Sequence, residues 1–95
     1  MNPENAMTHY NLGIVYNELN KLEDSIAAYQ KALEIDPNFF ESRYGLAVSY
    51  EKQKKYAEAL ETYKQYITHP AANYLKQAEE RIGILEKTVE PPKKS

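Results

Sequence analysis

The feature that most constrains this chain is that its sequence repeats with a period of 34 residues. A shift of 34 residues places Tyr10 on Tyr44 and Tyr16 on Tyr50. Other identical or similar pairs are Leu12 with Leu46, Ile14 with Val48, Lys21 with Lys55, Ile26 with Leu60, and Tyr29 with Tyr63. A fixed period of roughly 20 to 50 residues is typical of proteins built from stacked units that bury apolar surface against their neighbours. The sequence therefore predicts two copies of one structural unit.

The composition indicates that this unit is helical. Only 3 glycines and 5 prolines occur in 95 residues, which favours helices over β-structure or disorder. The formal net charge of -2 carries no basic excess, and no stretch approaches the roughly 18 apolar residues of a membrane span. We therefore expect no nucleic-acid partner and no membrane partner. The absence of cysteine excludes disulfides and thiolate metal sites but leaves the compartment open. We expect a cytoplasmic location, or a periplasmic one if the segment comes from a longer secreted chain.

Prolines and short polar turns divide the chain into segments. Asn2-Pro3, Asp36-Pro37 and His69-Pro70 each precede a helical pattern, as expected for a cap residue followed by proline in the first turn. The apolar register restarts at Asn20-Lys21 and at Lys54-Lys55, which predicts a tight turn inside each repeat. The predicted helices cover residues 4–19, 22–35, 38–52, 55–68 and 71–88.

The two helices of each repeat differ in their apolar pattern. The second helix carries one stripe at helical spacing: Leu22, Ile26, Tyr29 and Leu33, then Tyr56, Leu60, Tyr63 and Ile67. The first helix carries two apolar faces, because Tyr10 and Ile14 lie about 200° around the helix from Leu12 and Tyr16. One face can pack on the partner helix. The other requires a neighbouring repeat, a groove or a ligand.

These residues resemble the tetratricopeptide repeat, a 34-residue helix-turn-helix unit that stacks into a superhelix. The family's signature spacings are matched by Leu12-Gly13, Tyr16, Ala28, Tyr29, Ala32 and Asp36-Pro37, and again by Leu46-Ala47, Tyr50, Ala59 and Tyr63. The resemblance implies an all-α fold, a right-handed α-α superhelix of five antiparallel helices. It divides the chain into a lead-in or the end of a preceding repeat at 1–5, repeats at 6–39 and 40–73, a capping helix at 71–88 and a disordered tail at 89–95.

The resemblance also predicts how particular residues pack. Tyr66 stands where the family has a small alanine, so the last helix is expected to dock at an altered angle, as suits the end of an array. Leu12 is expected in the core. The capping helix is expected to pack Leu75, Ala78, Ile82 and Leu85 against the second repeat.

The residues that catalysis or metal binding requires are sparse. His9 and His69 lie far apart in the chain and have no acidic or histidine partner at the helical spacing that metals use. The serines have no glycine-rich elbow or adjacent base, and no glycine-rich phosphate loop is present. Lys52, Lys54 and Lys55 are interpreted as a solvated turn. We expect no enzyme activity, no catalytic residues, no metal and no cofactor.

The resemblance implies a protein-protein interaction module in which the first helix of each repeat lines a concave surface for a peptide or partner helix. The matching residues are Met7, Tyr10, Asn11, Ile14, Asn17 and Glu18 in the first repeat, and Glu41, Tyr44, Gly45, Val48, Glu51 and Lys52 in the second. We expect an apolar, aromatic centre with an acidic rim. The carboxylate clamp of chaperone-binding relatives is matched only at Asn11, since Met7 and Glu41 stand where cations would help. The alternative is self-association, in which exposed repeat faces stack on copies of the same chain.

Overall fold

The computed structural model describes residues 5–69 and 74–89, and within these ranges it contains five α-helices and no strand. The helices are α1 Ala6–Glu18, α2 Leu22–Ile35, α3 Phe40–Lys52, α4 Tyr56–Tyr66 and α5 Leu75–Val89. Each helix packs on the next one in the chain, and α1 also contacts α3. The predicted all-α solenoid is confirmed. None of the described helices is long and apolar enough to cross a membrane.

The turns inside the two repeats have the same geometry. Asn20 and Lys54 adopt positive φ angles of 63° and 64°, the left-handed conformation that ends many helices. In each turn the following lysine donates its backbone N–H back to the last helical turn: Lys21 to Tyr16 O at 2.8 Å, and Lys55 to Tyr50 O at 2.9 Å. The restart of the apolar register therefore located both turns correctly.

The turn between the repeats differs from the prediction. Asp36 does not cap α3: its backbone N–H donates to Ala32 O at 2.9 Å and so ends α2. Its carboxylate accepts the N–H of Asn38 at 3.1 Å inside the turn, and α3 begins only at Phe40. The residue that does cap a helix with its side chain is Asn5, which accepts the N–H of Met7 at 2.7 Å. Pro3 and Pro70 lie outside the described residues, as does the predicted tail beyond residue 89.

Two apolar clusters form the core. One joins α2 to α3 through Ile26, Tyr29 and Leu46. The other joins α3, α4 and α5 and consists of Ala47, Ala59, Leu60, Tyr63, Tyr66, Ala78, Ile82 and Leu85. Alanines at positions 32, 47, 59 and 78 are fully buried, which lets the helix backbones approach closely. The predicted stripes of the second helices therefore face the core.

Tyr29 occupies the closest contact between the repeats. Its ring lies against Gly13 of α1 and Gly45 of α3, where an added Cβ would come within 2.6 Å and 2.5 Å of ring atoms. Buried hydroxyls join the same helices: Ser25 donates to Gly13 O at 2.9 Å, and Ser49 lies 2.9 Å from the Ser25 hydroxyl. Both repeats thus share one packing site.

Three helices carry equivalent faces, and two of these faces are covered. On α3, Leu46 is covered by α2, and on α5, Ile82 and Leu85 are covered by α4. On α1 the equivalent residues form what we call the α1 open face: Thr8, Leu12, Val15 and Leu19, all exposed. The expectation that Leu12 lies in the core is therefore wrong. Leu12 is 40% exposed because no helix within the described residues covers this face, whereas Leu46 is 7% exposed.

The C-terminal helix packs on the second repeat as expected, with one exception. Ala78, Ile82 and Leu85 are buried, but Leu75 in the first turn is 37% exposed. Tyr66 instead makes the contact at this end of the helix, because its hydroxyl accepts the backbone N–H of Tyr74 at 2.8 Å. The altered docking angle of α5 stays a prediction.

Candidate functional site

The second apolar faces of α1 and α3 supply the walls of the candidate groove. Tyr10 and Ile14 pack with one side on the α2–α3 cluster, and Tyr44 and Val48 pack on the cluster of the second repeat. All four side chains are half-buried, so each keeps accessible surface. The 34-residue spacing places them at equivalent positions, and the contact between α1 and α3 makes these positions neighbours.

Two groups of aromatic rings hold the tyrosines in place. Tyr10 contacts Phe39 with ring centroids 5.0 Å apart and Tyr29 at 6.0 Å. Tyr44 stacks on Tyr74 at 4.9 Å. Further contacts of Tyr44 are with Tyr66 at 5.1 Å and Tyr63 at 5.9 Å. Neighbouring rings therefore pack against both tyrosines of the candidate groove.

A hydrogen bond brings two predicted polar residues together across the groove. Lys52 at the end of α3 donates from Nζ to Asn17 Oδ1 of α1 at 2.9 Å. The bond joins the repeats and positions the lysine ammonium over α1.

Glu51 accepts hydrogen bonds from two residues, neither of which was predicted as its partner from the sequence. It accepts the hydroxyl of Tyr63 at 3.0 Å and Arg81 Nε of α5 at 3.2 Å, and Arg81 forms an ion pair with it. Glu51 therefore does not contribute to an acidic rim. A signal for Arg81 was present, since Arg81-Ile82-Gly83-Ile84-Leu85 resembles Asn11-Leu12-Gly13-Ile14-Val15 and places Arg81 at the position of Asn11.

The remaining predicted residues lie at the groove margins. Met7, Asn11 and Glu18 are exposed, and Glu41 is half-buried in the first turn of α3. Arg43, which is close to Glu41 in the chain, donates instead to Gln65 Oε1 and Pro37 O on another side of the helix. Within residues 5–69 and 74–89, Glu41 has no salt bridge.

Burial keeps the groove hydroxyls neutral. It is the main reason that the pKa of Tyr10 and the pKa of Tyr44 are raised above the ordinary value of 10.0. The Glu41 carboxylate adds to the increase in the pKa of Tyr10, while Arg81 partly offsets that of Tyr44. At neutral pH both groups therefore present O–H donors. No group of three His, Asp or Glu within the described residues is placed to hold a metal ion.

A cavity of about 640 Å³ lies on a different surface. It is lined mainly by residues of the α2–α3 turn and of α4, among them Pro37, Phe40, Arg43, Lys64 and Tyr66. None of the predicted concave residues lines it.

Comparisons with known proteins find the same repeat in two overlapping segments of the chain. The family model described as "TPR repeat" matches residues 15–54, and the model described as "Tetratricopeptide repeat" matches residues 41–70. A peroxisomal targeting signal receptor of Kluyveromyces lactis is 37% identical over 65% of this chain. An Hsp70-Hsp90 organizing protein of Glycine max is 28% identical over 76% of it. The matched segments span only 11% and 13% of these relatives' lengths.

A solved structure resembles the whole chain. It is the solution structure of a tetratricopeptide repeat domain protein from Salinibacter ruber, with a TM-score of 0.79 and 21% sequence identity. The similarity covers 100% of this chain and 99% of that one, and at this identity it speaks for the fold. Because the two family models together span residues 15–70 and the fold is that of a tetratricopeptide repeat domain, the chain belongs to the tetratricopeptide repeat family.

Proposed function

We propose that this chain is a protein-protein interaction module that binds a peptide or a partner helix in the groove between α1 and α3. One observation carries the proposal: Tyr10, Ile14, Tyr44 and Val48 repeat at equivalent positions, with one side packed on the core and the other side accessible. Rigid aromatic side chains bind with little loss of conformational entropy, which is why tyrosine is enriched among residues that dominate binding energy. The margin residues Met7, Asn11, Asn17, Glu18, Glu41 and Lys52 would contribute orientation.

The relatives support the same class of function. One is named as a receptor for a targeting signal and the other as an organizing protein of two chaperones. Both names describe recognition of other proteins. We carry over only this class, and we assign no catalytic step to the chain.

The test is selection of binding peptides from a random library, followed by affinity measurements on variants. Tyr10→Ala and Tyr44→Ala should each weaken a selected peptide by about 2 kcal/mol, or roughly 30-fold in Kd, because each removes an aromatic anchor. Tyr56→Ala is the matched control, since Tyr56 is also half-buried but lies on α4. Selected peptides that bind both groove variants as tightly as the parent chain would remove the groove as the site.

A second candidate function is self-association through the α1 open face. Leu12, Val15 and Leu19 are 40%, 49% and 60% exposed, although a helix covers the equivalent face of α3 and of α5. Of the residues in α1, only Glu18 carries a formal charge, and it lies about 100° around the helix from the centre of this face. Two such faces can therefore meet without repulsion between like charges.

Mass measured by light scattering over a range of concentrations distinguishes the two candidates. Self-association predicts a mass that rises with concentration and returns to the monomer value in Val15→Glu. The control is Ile84→Glu, which introduces the same charge at a 50% exposed residue of α5. A mass that stays monomeric at every concentration would exclude assembly through this face.

A further inference from the structure

Within the described residues, Glu41 is the half-buried acidic residue of the groove that has no salt bridge. Glu51 is paired with Arg81, and Glu18 is exposed at the far end of α1. Arg43 directs its guanidinium to Gln65 and Pro37, and Lys52 donates to Asn17. The groove therefore holds one half-buried carboxylate that the nearby cations leave available.

Aromatic residues precede and follow Glu41 in the chain, and each of them contacts a further ring. Tyr44 is three residues further along α3, one helical turn from Glu41 and on the same side, and the ring of Tyr74 stacks on it. Phe39, two residues before Glu41, contacts the ring of Tyr10. Burial raises the pKa of Tyr10, and the Glu41 charge and the hydroxyl of Tyr74 add to the increase, so both groups act electrostatically on Tyr10.

This arrangement has the chemistry of a cation site. The face of an aromatic ring attracts a positive charge through its quadrupole, and a partly desolvated carboxylate adds direct attraction. Tyr74 is 46% exposed, and Tyr10, Glu41 and Tyr44 keep part of their surface accessible. An ammonium or guanidinium group can thus reach the carboxylate from the open side of the groove.

We propose that Glu41, together with Tyr10 and the stacked Tyr44 and Tyr74, forms a subsite for the cationic side chain of a bound peptide, an arginine or a lysine. The inference rests on the proposed function, because it names the chemistry of one residue in the groove ligand. It excludes a second acidic anchor at Glu51, where Arg81 supplies the cation within the chain.

The experiment titrates the full chain with N-acetyl-arginine amide, N-acetyl-lysine amide and the neutral N-acetyl-norleucine amide, observed by NMR at the tyrosine ring signals. The two cationic probes should shift the signals of Tyr10 and Tyr74, and the neutral probe should leave them in place. Glu41→Gln and Tyr74→Leu should each weaken binding of the arginine probe about fivefold or more. Raising the salt concentration should weaken it further.

Controls separate loss of the subsite from loss of the fold. Glu61→Gln removes the same charge from an exposed residue of α4 and should leave the affinity unchanged. Thermal melts monitored by circular dichroism identify any variant that is destabilised. Tyr74→Leu keeps the hydrogen bond from the backbone N–H of residue 74 to the hydroxyl of Tyr66.

Three results would overturn the subsite: equal shifts with the norleucine probe, no shift with any probe, or unchanged affinity in folded Glu41→Gln. If one of these results is found and library peptides still lose affinity for Tyr10→Ala and Tyr44→Ala, the groove remains a peptide site but has no cation subsite. Library peptides unaffected by both tyrosine variants would instead overturn the proposed function itself.

Discussion

Tyr29 is the side chain through which the two repeats meet most closely. Its ring is 3% exposed and lies against glycines in two different helices, Gly13 in α1 and Gly45 in α3. Because both sides are occupied by backbone, the ring cannot move away from one helix without pressing on the other. The size of residues 13 and 45 therefore affects how closely α1 and α3 can pack on this ring.

We expect Gly45→Ala and Gly83→Ala to change stability in opposite directions. Alanine favours a helix over glycine by about 1 kcal/mol at either position. At residue 83 nothing lies within 4 Å of the added Cβ, so the free energy of unfolding should rise by about that amount. At residue 45 the added Cβ would lie 2.5 Å from the Tyr29 ring, and overpacking typically costs 1 to 3 kcal/mol, so stability should fall or at best stay level.

Urea denaturation of both variants measures the difference. If the free energy of unfolding rises as much in Gly45→Ala as in Gly83→Ala, the Tyr29 ring moves aside without cost.

At the scale of helices, exposure of equivalent residues depends on what covers each face. Leu12 and Leu46 occupy the same repeat position, yet only Leu46 packs against a preceding helix, α2. Leu46→Ala should therefore lower the free energy of unfolding by about 2 to 5 kcal/mol, the usual range for a buried leucine. Leu12→Ala should lower it by less than about 1 kcal/mol. Denaturant midpoints of the two variants measure this difference. Equal losses of stability in Leu12→Ala and Leu46→Ala would mean that the α1 open face is covered in solution.

The sequence could predict the helices because their signals are local. The stripe of Leu60 and Tyr63, like the left-handed turns at Asn20 and Lys54, depends on neighbours within a few residues, and both were located correctly. The exposure of Leu12 could not be predicted in the same way, because it depends on whether a helix covers α1. The prediction that Asp36 caps α3 was wrong, because Asp and Pro stabilise both helix starts and turns, and here they form the turn.

The candidate site was accessible to sequence reasoning only in part. Tyr10 and Tyr44 are predicted from their 34-residue spacing and their place opposite the packing face; the structure shows both half-buried, and their role in binding stays a prediction. The pairing of Glu51 with Arg81 joins residues 30 positions apart on helices from different parts of the array. No local pattern encodes that contact, and it changes which acidic residue of the groove remains available.

For the whole molecule, buried tyrosines determine the response to alkaline pH. Burial raises the pKa of Tyr10, Tyr29, Tyr44 and Tyr63 above 10.0, the value expected in the unfolded chain. A group whose pKa is raised in the folded state binds its proton more tightly there. Its contribution to stability is therefore complete below the unfolded pKa and is lost as the pH rises through the folded pKa.

We accordingly expect that titration of these hydroxyls leaves the free energy of unfolding unchanged below about pH 10 and lowers it as the pH rises further. Urea denaturation at a series of alkaline pH values measures the fall, and tyrosinate absorbance follows the titration. Tyr63→Phe should flatten the dependence, since this hydroxyl shows the large shift. A stability that stays constant through the tyrosine titration would contradict the prediction.

The shared position of Tyr29 also determines how the molecule responds to mechanical force. A chain pulled from its ends would yield repeat by repeat only if one unit kept its packing after the other had extended. Here, peeling away α1 removes Gly13 and the carbonyl that Ser25 donates to, while peeling away α3 removes Gly45 and the hydroxyl of Ser49. Either loss uncovers the same ring and the same buried hydroxyl. The chain should therefore not pause under load at a state in which the first 34-residue repeat bears the tension alone, whereas α3, α4 and α5 keep their own apolar cluster.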